Sequence, residues 1–586
     1  MKYLATPLAL LLALVCQPAT LLAQGEAQAI KAFKLGFKPN TKALEKAMQG
    51  SGSMRTDSRE YKNKLDERDT IAAGWKEAIY QLDGYGSPAV AKLLANAWVK
   101  VDKTVGPAWK EHAKLAKRVE KDFAKILKMT DGEGIIPGKK VSQAVISAQQ
   151  NFLMGSRRTS EVRRNITSLT TLQEALRLIV SKMTDTSGLT WFLENIIGSK
   201  KYGLALKVEA IRASANQGAQ MISAMIAGLD KAKKPDEIAA LILGLGVLKE
   251  QAKAATPKLI ELLQSEDPGV REQAALALQH MKAPESIAPM IQLVAREDGL
   301  ARKRIAAVLE ILTGEQHGTN VAAWQQWFAE KGADYAAGRV PLGNGKPSTH
   351  EEYNKKNYYY GIPQDGKSIL YIIDCSGSMV LDKDNPEWTP NAQFPDNPIP
   401  KPAADKKNSR SEASKRELSR ALEQLPSNKT FNIVWYNHAA TAFKKKMVLA
   451  TPDNVKAAQK WLEGLPAYSS TNIYDAVKMA FTFAGRGAFD SAYDVQFEQI
   501  FLMTDGKPTL QGVGDDDPDK IVEGARKWNS VKRVQIHTIA FGTKDIDHDF
   551  MRDLAKENGG EYRIVLPDGV KKYDEIKDSL PPSKRR

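Results

Sequence analysis

Asp374-Cys375-Ser376-Gly377-Ser378-Met379 carries one carboxylate and two hydroxyls at alternate positions of a short polar stretch. Side chains spaced two apart can aim their oxygens at one point. An oxygen-only set suits a hard cation such as Mg²⁺. Two later stretches carry matching chemistry. Thr471, in Ser469-Ser470-Thr471-Asn472-Ile473-Tyr474-Asp475, offers a third hydroxyl, and Asp505, in Phe501-Leu502-Met503-Thr504-Asp505-Gly506, a second carboxylate. Asp515, Asp516, Asp517 and Asp519 form another acidic group. It reads as a solvated loop ahead of a helix whose dipole favours acidic residues, with a second cation site, such as Ca²⁺, as the alternative. Cys375 lies between residues that face the candidate cation, so its own side chain is expected to point away and pack as a small hydrophobe.

These groups need elements to hold them. Ser368-Ile369-Leu370-Tyr371-Ile372-Ile373 and Gln499-Ile500-Phe501-Leu502-Met503 are short apolar runs that read as buried strands. Two parallel strands ending side by side would bring Asp374 and Asp505 to one sheet edge, where open α/β sheets bind ligands. Around them strand and helix patterns alternate. Helices are expected over Ser411–Leu425, Val455–Leu462, Ile473–Ala484, Ile521–Trp528 and Phe550–Asn558. Strands are expected over Phe431–Tyr436, Val534–Phe541 and Glu561–Val565, the last at the sheet edge. The alternation predicts a doubly wound, mostly parallel α/β sheet.

The D-x-S-x-S, T and D-G series resembles the metal-ion-dependent adhesion site of von Willebrand factor A (VWA) domains, over residues 367–578. The resemblance implies a Rossmann-like fold and a bound Mg²⁺, with Mn²⁺ as a substitute. Ser376, Ser378 and Thr471 would ligate through hydroxyls, and Asp374 and Asp505 directly or through waters. Few direct carboxylates leave such a cation under-neutralised, so an acidic residue of a partner protein would complete it. Some relatives switch conformation through a C-terminal helix, which would correspond to Gly569–Leu580 here. One departure is an insertion over 381–410, rich in Pro, Asp, Lys and Asn. A surface loop and a specificity loop beside the metal are both open readings.

The chain has 586 residues, which at about 150 per domain implies three or four units. Met1 to Ala23 pairs an early Lys with a Leu/Ala-rich run and reads as a signal peptide, with an uncleaved anchor as the alternative. Export to a periplasmic or extracellular compartment follows from it. Residues 24–185 read as helical. Over 186–334 there is a period in the low thirties: Pro235 and Pro268 are 33 apart, as are Lys249 and Lys282. Paired amphipathic helices at that period predict an α-solenoid and resemble HEAT repeats. Trp324, Trp327 and Phe328 read as its cap. A linker over 335–366 follows, and the chain ends in a basic tail, 579–586. The order of repeats, tyrosine-rich entry and metal loop resembles a group of exported bacterial proteins.

The net charge is +15. The basic stretch Lys100 to Lys128 alternates with acidic residues and holds two aromatics, which argues against nucleic acid. An anionic envelope surface remains compatible with the charge. No H-E-x-x-H, G-x-S-x-G or C-x-x-C occurs, and the seven His form no ligand spacing. The expectation is therefore a non-enzymatic protein-binding module with the repeats as scaffold. The alternatives are a scaffold whose metal only stabilises the fold, and an envelope-polymer hydrolase.

Overall fold

The computed structural model describes residues 24–37, 59–129, 142–343, 345–346, 357–389, 399–437, 440–467, 470–482, 498–508, 517–529, 534–543 and 546–580. The signal segment 1–23 and most of the basic tail lie outside these. The chain divides into two compact units, one ending at Glu237 and the other running from Ile238 to the C-terminus, with residues 127–139 grouped with the latter.

The first unit is helical. Arg59–Tyr80, Pro88–Met129 and Gln143–Ser181 are long helices. Trp75, Ile79, Leu94, Leu172 and Leu176 are buried in its core. Within this unit Lys207 and Glu237 form a buried ion pair.

From Pro235 onward the sequence period becomes lateral stacking. Pro235–Val247 and Pro268–His280 are helices of 13 residues, each opening on its proline. Proline suits a helix's first turn because its missing N–H has no partner there in any case. The second begins at an Asp267 cap that accepts from Val270 N at 2.9 Å. Lys249 and Lys282, 33 residues apart in the sequence, both take left-handed backbone conformations, φ 51° and 50°. Side chains about one period apart touch: Gln264 with Arg296 at 2.7 Å, Glu272 with Arg304 at 2.6 Å and Glu250 with Lys282 at 3.0 Å. Val321–Ala336 covers the last pair. Its Trp324, Trp327 and Tyr335 are buried edge to face, and Tyr335 donates to Thr313 O at 2.9 Å.

The chain then enters the α/β domain. Lys303 pairs with Asp365 at 2.8 Å and Asp298 with Lys367 at 2.7 Å, just before the first strand of the main sheet. A hairpin of Tyr358–Tyr359 with Ile362–Pro363 tucks Tyr359 against Tyr371 and Phe501. The main sheet contains β1 (Ser368–Asp374), β2 (Thr430–Tyr436), β3 (Ala440–Ala442), β4 (Val448–Leu449), β5 (Gln499–Thr504), β6 (Gln535–Phe541), β7 (Tyr562–Leu566) and β8 (Gly569–Lys572). Their order is β8-β7-β6-β5-β1-β2-β3, with β4 also on β2. The five from β7 to β2 are parallel and the edge pairings antiparallel. This is a mostly parallel α/β sheet, carried on the same chain as an α-solenoid. One face packs Tyr371, Ile433 and Phe501 against Leu418, Leu422, Ala458 and Leu462 of the helices Arg410–Glu423 and Pro452–Glu463.

Two expectations are corrected. Glu561–Val565 is not an edge strand, because β8 pairs antiparallel outside β7. Gly569–Leu580 is not one helix. It forms β8, the short helix Tyr573–Ile576 and a 3-10 turn over Lys577–Ser579. Four residues, Gly-Val-Lys-Lys, suffice for an edge strand because half of its backbone groups face solvent.

The insertion is anchored at its root. Arg410 N donates to Leu381 O at 2.9 Å, Lys383 N to Asn408 O at 2.9 Å and Ala403 N to Val380 O at 2.9 Å. Farther out, Trp388–Thr389 pairs antiparallel with Ile399–Pro400. Residues 390–398 lie outside the described set.

Candidate metal centre

Asp374 is the last residue of β1, and its placement follows from register. Asp374 pairs with Tyr436 on β2, and Ile373 with Met503 on β5. The carboxylate therefore sits between the ends of two parallel neighbours. Its Oδ2 accepts from Thr504 Oγ1 at 2.7 Å and from Tyr436 OH at 3.2 Å, and its Oδ1 from Ser376 N at 2.7 Å. Three donors fix its orientation before any ligand arrives.

Beyond β1 the chain makes one 3-10 turn, Gly377–Val380. Ser376 Oγ and Ser378 Oγ lie 3.1 Å apart, and Ser378 Oγ donates to Asp505 Oδ1 at 2.7 Å. Asp505 follows the end of β5 directly. Thr471 precedes the helix Ile473–Thr482, and its segment is pinned to the sheet by Asn472 N, which donates to Asn437 O at 2.8 Å. A methyl group on Gly506 would lie 3.9 Å from both Ser378 Oγ and Thr471 Oγ1. Both hydroxyls thus flank the same glycine. The five expected residues all come to the carboxyl ends of β1 and β5 or beside Gly506.

The electrostatics are those of a crowded acidic site. Asp374 and Asp505 are both 1% exposed. Burial, then the neighbouring Asp505 charge, pushes the Asp374 carboxyl up to about 7. Among the described residues Arg410 answers the negative charge: its Nη1 donates to Asp505 Oδ2 at 2.8 Å. With both carboxyls ionised, they exceed the guanidinium by a single charge. Among the described residues no three His, Cys, Asp or Glu side chains gather in a metal-holding group. A cation here would be held by hydroxyls with two carboxylates. Hard neutral oxygens beside surplus negative charge fit Mg²⁺ or Mn²⁺ and not a soft metal.

Spacing did not reveal three partners in this site, Arg410, Thr504 and Tyr436. Thr504 and Tyr436 occupy strand ends beside Asp374, which a register argument could have found. Arg410 carried no signal, since it lies 95 residues from its partner. Cys375 behaves as expected. It is buried with Ile373, Met379 and Leu418 on the opposite sheet face, and burial pushes its thiol well above the usual range. Asp517 caps the helix Pro518–Trp528 by accepting from Asp519 N, while Asp515 and Asp516 lie outside the described residues. His438 also lies outside them. His548 is engaged by Tyr562 OH and Thr543 O.

Residues 403–564 match the von Willebrand factor type A domain model and residues 222–310 the HEAT repeat model. The Asp374 loop lies between the two matched segments and outside both. Human von Willebrand factor A domain-containing protein 3B is 29% identical over 143 residues, 24% of this chain and 10% of that protein. Bovine inter-alpha-trypsin inhibitor heavy chain H3 is 25% identical over 209 residues, 36% of this chain and 20% of that protein. The chain thus spans a tenth to a fifth of these relatives' length. A von Willebrand factor type A structure from Catenulispora acidiphila is 19% identical over 34% of this chain and 38% of its own, with TM-score 0.24.

Proposed function

We propose that this chain, which joins HEAT repeats to a von Willebrand factor type A domain, is an exported, non-enzymatic protein-binding module. It would recognise its partner through a Mg²⁺-dependent site, with the repeats as scaffold. The observation that supports this most is the meeting of Asp374, Ser376, Ser378 and Asp505 at the ends of two adjacent parallel strands, with Thr471 across Gly506. Ser376, Ser378, Thr471 and the two aspartates would hold the ion. When bound, Mg²⁺ supplies a Lewis-acidic position that attracts an acidic side chain of the partner. The chain's own part is to keep Asp374 aimed through Thr504 and Tyr436 and to keep neutral hydroxyls foremost, so that the site stays short of negative charge. The inter-alpha-trypsin inhibitor heavy chains match over about a fifth of their length, so the partner proposed here is defined by its carboxylate alone.

Capture of partner protein from a cell-envelope extract tests this. Capture should require Mg²⁺, vanish in EDTA and fall at least tenfold in Thr471→Ala, with the melting temperature of the variant in EDTA measured alongside to separate a lost ligand from a lost fold. Capture that survives Thr471→Ala and EDTA but is lost on deleting 186–334 would assign binding to the repeats and reject the proposal.

A further inference from the structure

We propose that Arg410 is a built-in counter-cation that sets how tightly the site takes a divalent ion. The inference rests on the Mg²⁺ reading above. Arg410 opens the helix Arg410–Glu423, directly after its Ser409 cap. Its backbone N–H donates to Leu381 O at 2.9 Å, three residues beyond Ser378, so the root of the insertion is tied to the metal loop. The guanidinium is fixed as well. Arg410 is 6% exposed, and its Nη2 lies 3.6 Å from where a methyl on Gly542 would stand. Gly542 has φ +85° and leaves that space open at the end of β6.

Asp505 is consequently shared. Oδ1 accepts from the Ser378 hydroxyl at 2.7 Å and Oδ2 from Arg410 at 2.8 Å. Two carboxylates and one guanidinium give the cluster a charge of −1 where the aspartates alone would give −2. Cation affinity in oxygen sites follows the ligand charge count. A buried guanidinium is poorly screened and repels an incoming divalent ion. It also keeps Asp505 from being an unpaired buried charge when no ion is present. Arg410 therefore holds the empty site folded and makes the ion weakly bound, which leaves it dependent on ambient concentration.

Titration of the full chain with MgCl2, by calorimetry and thermal unfolding, tests this in wild type, Arg410→Gln, Arg410→Lys and Asp374→Asn. Arg410→Gln should bind Mg²⁺ at least tenfold tighter, melt lower in EDTA and regain its melting temperature with Mg²⁺. Arg410→Lys keeps the charge and should stay within threefold of wild type. If Arg410→Gln is unfolded in EDTA, Mg²⁺ below the wild-type Kd should restore its transition, and no restoration rejects the inference. Unchanged or weaker binding in Arg410→Gln, with wild type binding Mg²⁺, overturns it. So does Arg410→Lys tightening as much as Arg410→Gln. If wild type and every variant ignore Mg²⁺, the metal reading itself fails.

Discussion

Single side chains in this fold are tuned by what register places beside them. Asp374 shows it at the metal loop, and His537 shows it inside β6. Its ring stacks on Phe501, and Nδ1 accepts from Glu561 N at 3.0 Å. A protonated Nδ1 would face that N–H and lose the bond. Burial, with Arg304 and Arg563 adding to it, lowers the ring from 6.5 to about 3. Between those values the unfolded chain binds a proton that the folded chain does not. Stability from this residue is complete above pH 6.5 and falls as pH drops, by about 1.4 kcal/mol per unit. Urea midpoints at pH 7, 6 and 5 should decline more steeply in wild type than in His537→Gln, and equal slopes would dismiss the effect. The candidate ligand set was legible at this scale because the motif writes Asp374, Ser376 and Ser378 two apart. His537, Thr504 and Arg410 were not, because their surroundings come from strands and helices distant in sequence.

Elements repeat where sequence repeats, and the repeat extends to backbone strain. Lys249 and Lys282 each follow a helix of the array and turn it with positive φ. An L-residue in that conformation costs roughly 1–2 kcal/mol, of which glycine returns part through a freer unfolded chain. Lys249 is exposed. Lys249→Gly should therefore stabilise the second unit by about 0.5–1 kcal/mol in chemical denaturation. A loss of stability would show that the lysine stem contributes more than the strain removes. The 33-residue spacing of these lysines and of Pro235 and Pro268 made the solenoid readable. β3, β4 and β8 were not readable. They are two to four residues long and lie on sheet edges, where no alternating apolar pattern is required.

At the scale of the molecule, two compact units share one chain, and the proposed metal residues all lie in the second. A ligand that binds the folded form alone stabilises whatever unfolds cooperatively with its site, by about 2.7 kcal/mol at a hundredfold excess over Kd. The unit that ends at Glu237 holds none of these oxygens and has its own core of Trp75, Leu94 and Leu176. Calorimetry should then resolve two transitions, since multidomain chains depart from two-state unfolding. Mg²⁺ should raise only the transition of the second unit, and Asp374→Ala should abolish that rise while leaving the other transition in place. The repeats from Ile238 onward belong to the same unit as the sheet, joined by the Lys303–Asp365 and Asp298–Lys367 pairs. These pairs are partly exposed and each contributes little. Coupled melting would then rest on close packing such as that at Gly299, where a methyl group would stand 2.8 Å from Asp365 O. If Mg²⁺ moves a sheet transition and leaves the repeats melting separately, that packing does not couple the two parts, and the solenoid cannot sense whether the candidate metal loop is filled.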